Sequence, residues 1–162
     1  MRRTGFSTAG SRLDQPVPQF APIGQPSMAK GRGRVLAAED NAVNKKLVTR
    51  LLEKAGFQVE AVDNGLQAVE AMARGNYDAV IMDCQMPEMD GFEATAAIRA
   101  AESGTDRHVP IIALTASAME ADRELCLASG MDDFLTKPID RAELTAVLDR
   151  WVPQPLEAAG TP

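Results

Sequence analysis

The stretch AVIMDCQMPEMDG, residues 79–91, changes from apolar to polar at a single aspartate, Asp83. Its first four residues are all apolar, without alternation, which indicates a β-strand covered on both faces. Pro87 and the Asp90-Gly91 pair then mark a turn. A buried strand that ends on a carboxylate is typical of parallel α/β sheets, whose functional side chains collect beyond the carboxyl ends of the strands.

The same alternation of short apolar runs and helical periods continues over the rest of the chain after residue 33. It predicts strands at 34–38, 58–62, 79–83, 110–114 and 133–136, separated by helices at about 43–55, 65–74, 92–102, 119–129 and 141–151. The pattern therefore predicts an α/β fold built on a parallel sheet. In the first helix one apolar stripe is expected to be buried, namely Val43, Leu47, Val48, Leu51, Leu52 and Ala55.

Composition bounds the domain organisation. The chain has 162 residues, of which 45% are hydrophobic and 25% charged, as in a globular protein with one core. Residues 1–33 are rich in Pro, Gly, Ser and Arg and are predicted to form a disordered linker or tail. The folded domain is predicted at 34–153, with a flexible C-terminal tail at 154–162. Without an apolar run of about 20 residues, no membrane insertion is expected, and the predicted location is cytoplasmic.

Charge and cysteine content exclude further classes. Residues 1–34 contain six of the 17 basic residues and one of the 23 acidic ones, which leaves 11 basic and 22 acidic residues for 35–162, a net charge of −11. An acidic domain with 4% aromatic residues is not expected to bind nucleic acid directly. The two cysteines, Cys84 and Cys126, lack metal-ligand spacing and are interpreted as reduced, buried thiols.

Polar residues follow four of the predicted strands. Glu39 and Asp40 end the first, Asp83 the third, Thr115 the fourth and Lys137 the fifth. At one edge of a sheet the three carboxylates would repel each other, and a divalent cation would compensate them. Mg²⁺ prefers oxygen ligands and commonly uses one or two carboxylates, so all three are candidate metal ligands.

A carboxylate can also attack a phosphoryl group, provided that the charge on the phosphoryl oxygens is neutralised. Asp83 is the best placed nucleophile, because it lies on the central strand of the candidate site. Lys137 and the metal would share the neutralisation, and the Thr115 hydroxyl would donate a hydrogen bond to a phosphoryl oxygen.

Taken together these motifs resemble the receiver-domain family of response regulators over residues 34–152. The motifs are Glu39-Asp40-Asn41, Asp83 with Met86-Pro87 and Asp90-Gly91, Thr115-Ala116 and Lys137-Pro138. The resemblance implies a flavodoxin-like, doubly wound parallel sheet of order 2-1-3-4-5 with five flanking helices. It also implies Mg²⁺-dependent transfer of phosphate from a phosphohistidine to Asp83, the Gln85 backbone carbonyl as a further metal ligand, and a cis peptide before Pro138.

The resemblance also implies a conformational switch. In the family a Thr or Ser hydroxyl, here Thr115, moves towards the phosphoryl group, and an aromatic ring, here Phe134, moves into the vacated space. Many relatives have Tyr at this position, whereas Phe134 has no hydroxyl. The surface formed by the fourth helix, fifth strand and fifth helix would then carry the signal.

The amino-acid sequences of these motifs are similar to those of receivers attached to hybrid sensor histidine kinases. Expected partners are therefore a histidine kinase, a histidine-phosphotransfer domain or both, with the domain a monomer or a weak phosphorylation-dependent dimer. The domain itself is not expected to be an enzyme beyond assisting its own phosphorylation and dephosphorylation.

Three alternatives stay open on the sequence. One is a stand-alone, single-domain response regulator, and another is a degenerate receiver that binds partners without phosphate. The third is an aspartate-nucleophile phosphatase, but such enzymes usually have a second Asp two residues after the nucleophile, where this chain has Gln85. A flavodoxin-type electron carrier is disfavoured because carboxylates after the first strand would repel FMN.

Overall fold

A computed structural model describes residues 31–153 of the chain. Apart from residues 31–33, the two predicted tails lie outside this range. Strands and helices alternate: β1 (Gly33–Ala38), α1 (Ala42–Lys54), β2 (Phe57–Val62), α2 (Gly65–Arg74), β3 (Ala79–Asp83), α3 (Gly91–Glu102), β4 (Ile111–Thr115), α4 (Glu120–Ala128), β5 (Asp133–Thr136) and α5 (Arg141–Trp151). Within the described range no helix has both the length and the apolar character needed to cross a bilayer.

The five strands form one parallel sheet in the order β2-β1-β3-β4-β5. The predicted fold class and strand order are confirmed, and the predicted strand ends differ by at most one residue, as at β4. In the sheet β2 lies on one side of β1 and β3 on the other, so the strand order reverses between β1 and β3. Ligands of such sheets bind beyond the carboxyl ends of the strands at this reversal.

The core is divided by the sheet into two layers. Every residue of β3 and β4 is buried. Because side chains alternate across a strand, Val80 packs towards α2 and α3, whereas Ile81 packs towards α1 and α5. Burial of each large aliphatic side chain contributes about 1.5–3 kcal/mol, so this double layer holds the central strands and their ends rigidly.

Helix α1 corrects one prediction. Val48 and Leu52 are fully buried, but Val43 and Leu47 of the predicted buried stripe are 75% and 38% exposed. At 100° per residue the apolar positions extend over about half of the helix circumference, and only the half that faces the sheet is covered. The uncovered half leaves an apolar patch on the surface.

Opposite the strand ends that bear the candidate site, Asp132 joins three parts of the chain. It accepts hydrogen bonds from the Arg99 guanidinium at 2.7 Å and from the Ile111 amide at 2.8 Å. His108, in the loop between α3 and β4, is exposed, and its Nε2 lies 2.7 Å from Asp132 Oδ1. These contacts tie α3 and the start of β4 to the turn that leads into β5.

Arg32, just before β1, packs on the end of α5. Its guanidinium donates to the Val152 carbonyl at 2.9 Å, pairs with Asp149 at 2.7 Å and lies 4.7 Å from the centroid of the Phe57 ring. The side chain is only 9% exposed. The beginning and the end of the folded domain are therefore joined directly.

The turn after β3 leaves no room for a side chain at Gly91. A Cβ there would meet the Asp83 carbonyl oxygen and lie 3.0 Å from Cys84 Cα, both of which are backbone atoms that cannot move aside cheaply. We expect Gly91→Ala to lower the free energy of unfolding in urea by about 1–3 kcal/mol, as overpacking does. Gly75→Ala, whose Cβ would find its nearest heavy atom at 3.5 Å, is the matched control and should change it by less than about 0.5 kcal/mol. Equal stability of the two variants would refute this explanation.

Candidate functional site

Three carboxylates meet at the reversal of strand order. Glu39 and Asp40 follow β1, and Asp83 ends β3, in neighbouring strands paired up to Ala38 and Met82. One oxygen from each carboxylate lies within 4.8 Å of the others. The regular pairing of β1 with β3 therefore fixes how closely the three acids approach.

Lys137 links two of these acids. From the loop after β5, its Nζ donates a hydrogen bond to Asp83 Oδ2 at 3.0 Å. The same Nζ lies 3.1 Å from Glu39 Oε2, an ion pair without hydrogen-bond geometry. The Lys137–Pro138 peptide bond is cis. One ammonium group thus bridges carboxylates that come from two different strands.

Burial differs among the three acids. Glu39 and Asp83 are 1% and 3% exposed, whereas Asp40 is exposed. Each buried acid has one oxygen fixed by the backbone: Glu39 Oε1 accepts from the Asn41 amide at 3.0 Å, and Asp83 Oδ1 from the Gln85 amide at 3.2 Å. The two buried carboxylates are therefore held in fixed orientations.

Burial and neighbouring charges shift the pKa values of Glu39 and Lys137. Burial raises the pKa of Glu39, and the neighbouring Asp83 raises it further, against the opposing effects of the Asn41 amide and Lys137. Burial alone would lower the pKa of Lys137, but its contacts with Asp83 and Glu39 outweigh that effect and raise it. The site therefore favours an additional positive charge.

The donor set fits Mg²⁺. If all three acids are ionised, Lys137 balances only one of three negative charges, and the remainder matches a divalent cation. The ligands offered are hard carboxylate oxygens, and because Asp40 is exposed, water and a phosphoryl oxygen could complete the ligand set of a bound ion. Glu39, Asp40 and Asp83 are the residues that would hold the ion.

The other predicted site residues separate into two places. Gln85 and Thr115 line the same cavity of about 450 Å³ as Glu39, Asp83 and Lys137. Thr115 is 8% exposed, and its Oγ1 donates to the Ser117 carbonyl and accepts from the Ser117 amide, both at 3.2 Å.

Phe134 lies elsewhere. It lines a separate surface cavity between β5 and α5 and is partly buried. The Arg123 guanidinium of α4 lies 5.6 Å from its ring centroid. The ring therefore contacts α4 and is distant from the carboxylates.

The two cysteines are neighbours in the fold, which their positions in the sequence do not indicate. Cys84 Sγ and Cys126 Sγ lie 3.8 Å apart, although 42 positions separate them in the chain. Both are free and buried, and both line the cavity of the carboxylates. Burial raises the pKa of each thiol; for Cys84 the nearby Cys126 raises it further. No local motif could signal this pair, because it forms only when α4 packs against β5 and thereby brings Cys126 to the residue after β3.

Fold and site together define a doubly wound α/β domain with an acidic, lysine-bridged site at its strand reversal. A known protein family has the same sequence pattern. The family described as response regulator receiver domain matches residues 35–149, most of the chain. The protein belongs to the response regulator receiver family.

Similar proteins support this family assignment. The chain is 46% identical over 120 residues to hybrid signal transduction histidine kinase B of Dictyostelium discoideum; the match includes 68% of this chain but 6% of that protein. It thus spans a small part of the curated relatives that it matches. Among solved structures it is similar to the receiver domain of sensor histidine kinase PA1611 from Pseudomonas aeruginosa, at 48% identity and a TM-score of 0.67 over 74% of this chain and 97% of that one. That receiver has a magnesium ion coordinated in its active-site cleft.

A second solved relative was crystallised with a partner. It is the receiver domain of Ssk1 in a co-crystal with the histidine phosphotransfer protein Ypd1 of Saccharomyces cerevisiae. Identity is 33% and the TM-score 0.68, over 74% of this chain and 88% of the other.

Repulsion among the three carboxylates should lower the free energy of unfolding by a measurable amount. Without divalent cations we expect Asp40→Asn to raise the free energy of unfolding by up to about 1 kcal/mol, because it removes repulsion from Glu39 and Asp83 at a solvent-exposed position. Millimolar Mg²⁺ should stabilise the native chain more than the variant. Asp106→Asn, an exposed acid in a loop away from the site, is the control in urea titrations with and without Mg²⁺. An unchanged response of Asp40→Asn to Mg²⁺ would argue against Asp40 as a ligand.

Proposed function

We propose that Asp83 accepts a phosphoryl group from a phosphohistidine and that this phosphorylation is the signal the domain transmits. The observation that supports this most directly is the geometry at Asp83. Its carboxylate is buried and fixed, lies beside two further acids able to hold Mg²⁺, and has the Lys137 ammonium 3.0 Å away. A nucleophile, a metal site and a cation for the phosphoryl charge are thus within contact distance of each other.

In the proposed reaction an Asp83 carboxylate oxygen attacks phosphorus in line, and the phosphorus–nitrogen bond to the donor histidine breaks. Lys137, already charged, neutralises negative charge on the phosphoryl oxygens. Thr115 Oγ1, now bonded to Ser117, would turn to donate to one of these oxygens. Glu39, Asp40, Asp83 and the Gln85 carbonyl would hold Mg²⁺, which, when bound, supplies the remaining charge neutralisation.

The loop of Thr115 leads directly into α4, and Phe134 contacts α4 through Arg123. Movement of the hydroxyl towards the phosphoryl group would therefore change the surface of α4, β5 and α5, which we propose as the surface that partners recognise. Phe134 would respond through packing alone, because it has no hydroxyl group.

The apolar patch of Val43 and Leu47 is suited to the phosphodonor. It lies on α1, whose Asn41 cap and Asn44 line the cavity of Asp83, and Lys46 and Arg50 border it. A partner that inserts a phosphohistidine at Asp83 would cover this patch. Contiguous exposed apolar patches commonly mark interaction surfaces, and Val43 and Leu47 line one such depression. The Ssk1 receiver, crystallised with a histidine phosphotransfer protein, supports a partner of this class.

We propose that the domain is the receiver part of a hybrid sensor histidine kinase in the cytoplasm, and that it receives phosphate from the kinase, a histidine-phosphotransfer domain or both. The similarity to hybrid kinase B supports this origin. A stand-alone regulator and an aspartate-nucleophile phosphatase are less well supported. For the phosphatase, the place of its second aspartate is taken by Gln85.

Phosphorylation is tested by intact mass after incubation with acetyl phosphate. We expect a gain of one phosphoryl group that requires Mg²⁺ and disappears in Asp83→Asn. Lys137→Ala should slow the reaction about 100-fold, the loss typical when a charge-stabilising donor is removed. Asp106→Asn should react like the native chain. A phosphoryl gain that persists in Asp83→Asn would refute the assignment.

Docking is tested separately, with a phosphorylated histidine-phosphotransfer domain as donor. Val43→Asp should slow transfer from this protein donor about tenfold or more, because placing a charge in the centre of an apolar interface costs at least about 1.4 kcal/mol, which is a factor of ten. It should leave the reaction with acetyl phosphate unchanged. Leu66→Asp is the control, since Leu66 is an exposed aliphatic residue, at 42%, on α2, outside both α1 and the proposed surface of α4, β5 and α5. Equal slowing by both substitutions would argue against α1 as the docking surface.

A further inference from the structure

Cys84 and Cys126 stand out because the mechanism above does not use them. Their sulfurs are 3.8 Å apart, and they are the two cysteines of the whole sequence. Cys84 directly follows Asp83, and Cys126 lies on α4. Both border the cavity of about 450 Å³ that opens at the carboxylates, so they lie beside the space that a small solute enters to reach Asp83.

Helix α4 is weakly attached to the domain. Of its residues Glu120–Ala128, all of which the structure describes, Cys126 is the one that is buried. Met119, at its N-cap, makes no side-chain capping hydrogen bond, and Leu125 and Leu127 are 53% and 45% exposed. Elements with few buried contacts open and shift most easily. The single buried anchor of the helix is therefore the side chain next to Cys84.

We propose that Cys84 and Cys126 form a reversible disulfide on exposure to a small peroxide, and that this bond fixes α4 to the end of β3 and hinders the phosphorylated conformation. A disulfide requires the sulfurs to approach to about 2.05 Å. The two sulfurs are now 3.8 Å apart. Rotation of the side chains, together with a small displacement of α4, which is held by one buried residue, can bring them to bonding distance.

The reaction balances with peroxide as oxidant. Burial keeps both thiols protonated, so the reaction requires an outward shift of the weakly held α4 that exposes the sulfurs. The sulfur of Cys84, the more exposed of the two at 6% against 1%, then attacks one peroxide oxygen. The oxygen–oxygen bond breaks, hydroxide leaves and combines with the thiol proton as water, and a sulfenic acid remains. The Cys126 sulfur then attacks the Cys84 sulfur, the sulfur–oxygen bond breaks, and a second water forms. Two thiols lose two electrons and two protons, and the peroxide is reduced to two waters.

The effect on signalling rests on the proposed function. Thr115 must leave Ser117 to reach the phosphoryl group, and the segment that carries both leads into α4. A bond from Cys126 to the residue after Asp83 restrains that movement. The reduced protein would remain responsive, and the oxidised protein would respond less until the bond is reduced.

Disulfide formation is tested on the full chain treated with hydrogen peroxide, denatured in iodoacetamide, digested and analysed by mass spectrometry. We expect a cross-linked peptide pair joining Cys84 to Cys126 that lacks two hydrogen atoms and disappears on treatment with dithiothreitol. Because individual peptides are analysed, oxidation of methionine is distinguished from formation of the disulfide. Cys126→Ala is the control and should yield no such pair. Oxygen added to either cysteine without a cross-link, or a cross-link between two chains only, would overturn the proposal.

The functional effect is tested by calorimetric titration with beryllofluoride and Mg²⁺. The oxidised protein should bind beryllofluoride about tenfold more weakly than the same sample after reduction, a change within the usual range for coupling between a site and a conformational equilibrium. Equal affinity of the two forms would overturn the role of the disulfide as a restraint. Failure of the reduced protein to bind would overturn the proposed function and with it this effect, whereas the peptide analysis would still decide whether the bond forms.

Discussion

The central constraint on this domain is that three carboxylates are held together where two buried strands end. Their mutual repulsion favours separation, and it is opposed by the packing that fixes β1 and β3 between two apolar layers. Lys137 compensates part of the charge from a third strand, β5. The rest of the negative charge is left for a bound cation, so the stability of the sheet is what keeps a cation-binding group of acids together.

The rigid centre is combined with a loosely held periphery. Both central strands are entirely buried, whereas α4, which follows the strand that ends in Thr115, has one buried residue. A local change of hydrogen bonding at Thr115 therefore meets little resistance in α4 and much in the sheet. Under the proposed function, this difference in anchoring would direct a signal from the strand ends towards the surface of α4, β5 and α5.

The sequence predicted the strands to within one residue because fully buried parallel strands are short apolar runs with sharp polar ends, as in residues 79–91. It also predicted which residues meet at the site, since residues that follow parallel strands share one edge. It failed where the outcome depends on neighbours distant in the chain. Helical period alone could not show that Val43 stays uncovered, nor that Cys84 and Cys126 would touch. The link between His108 and Asp132 likewise depends on how two loops meet.

Arg32 has a consequence for how such a domain is used in larger proteins. Because its guanidinium binds the last turn of α5, the polypeptide enters and leaves the fold at nearly the same point, at the edge of the sheet opposite Asp83. Domains whose two ends lie close together are readily inserted into, or appended to, other chains without distortion of either part.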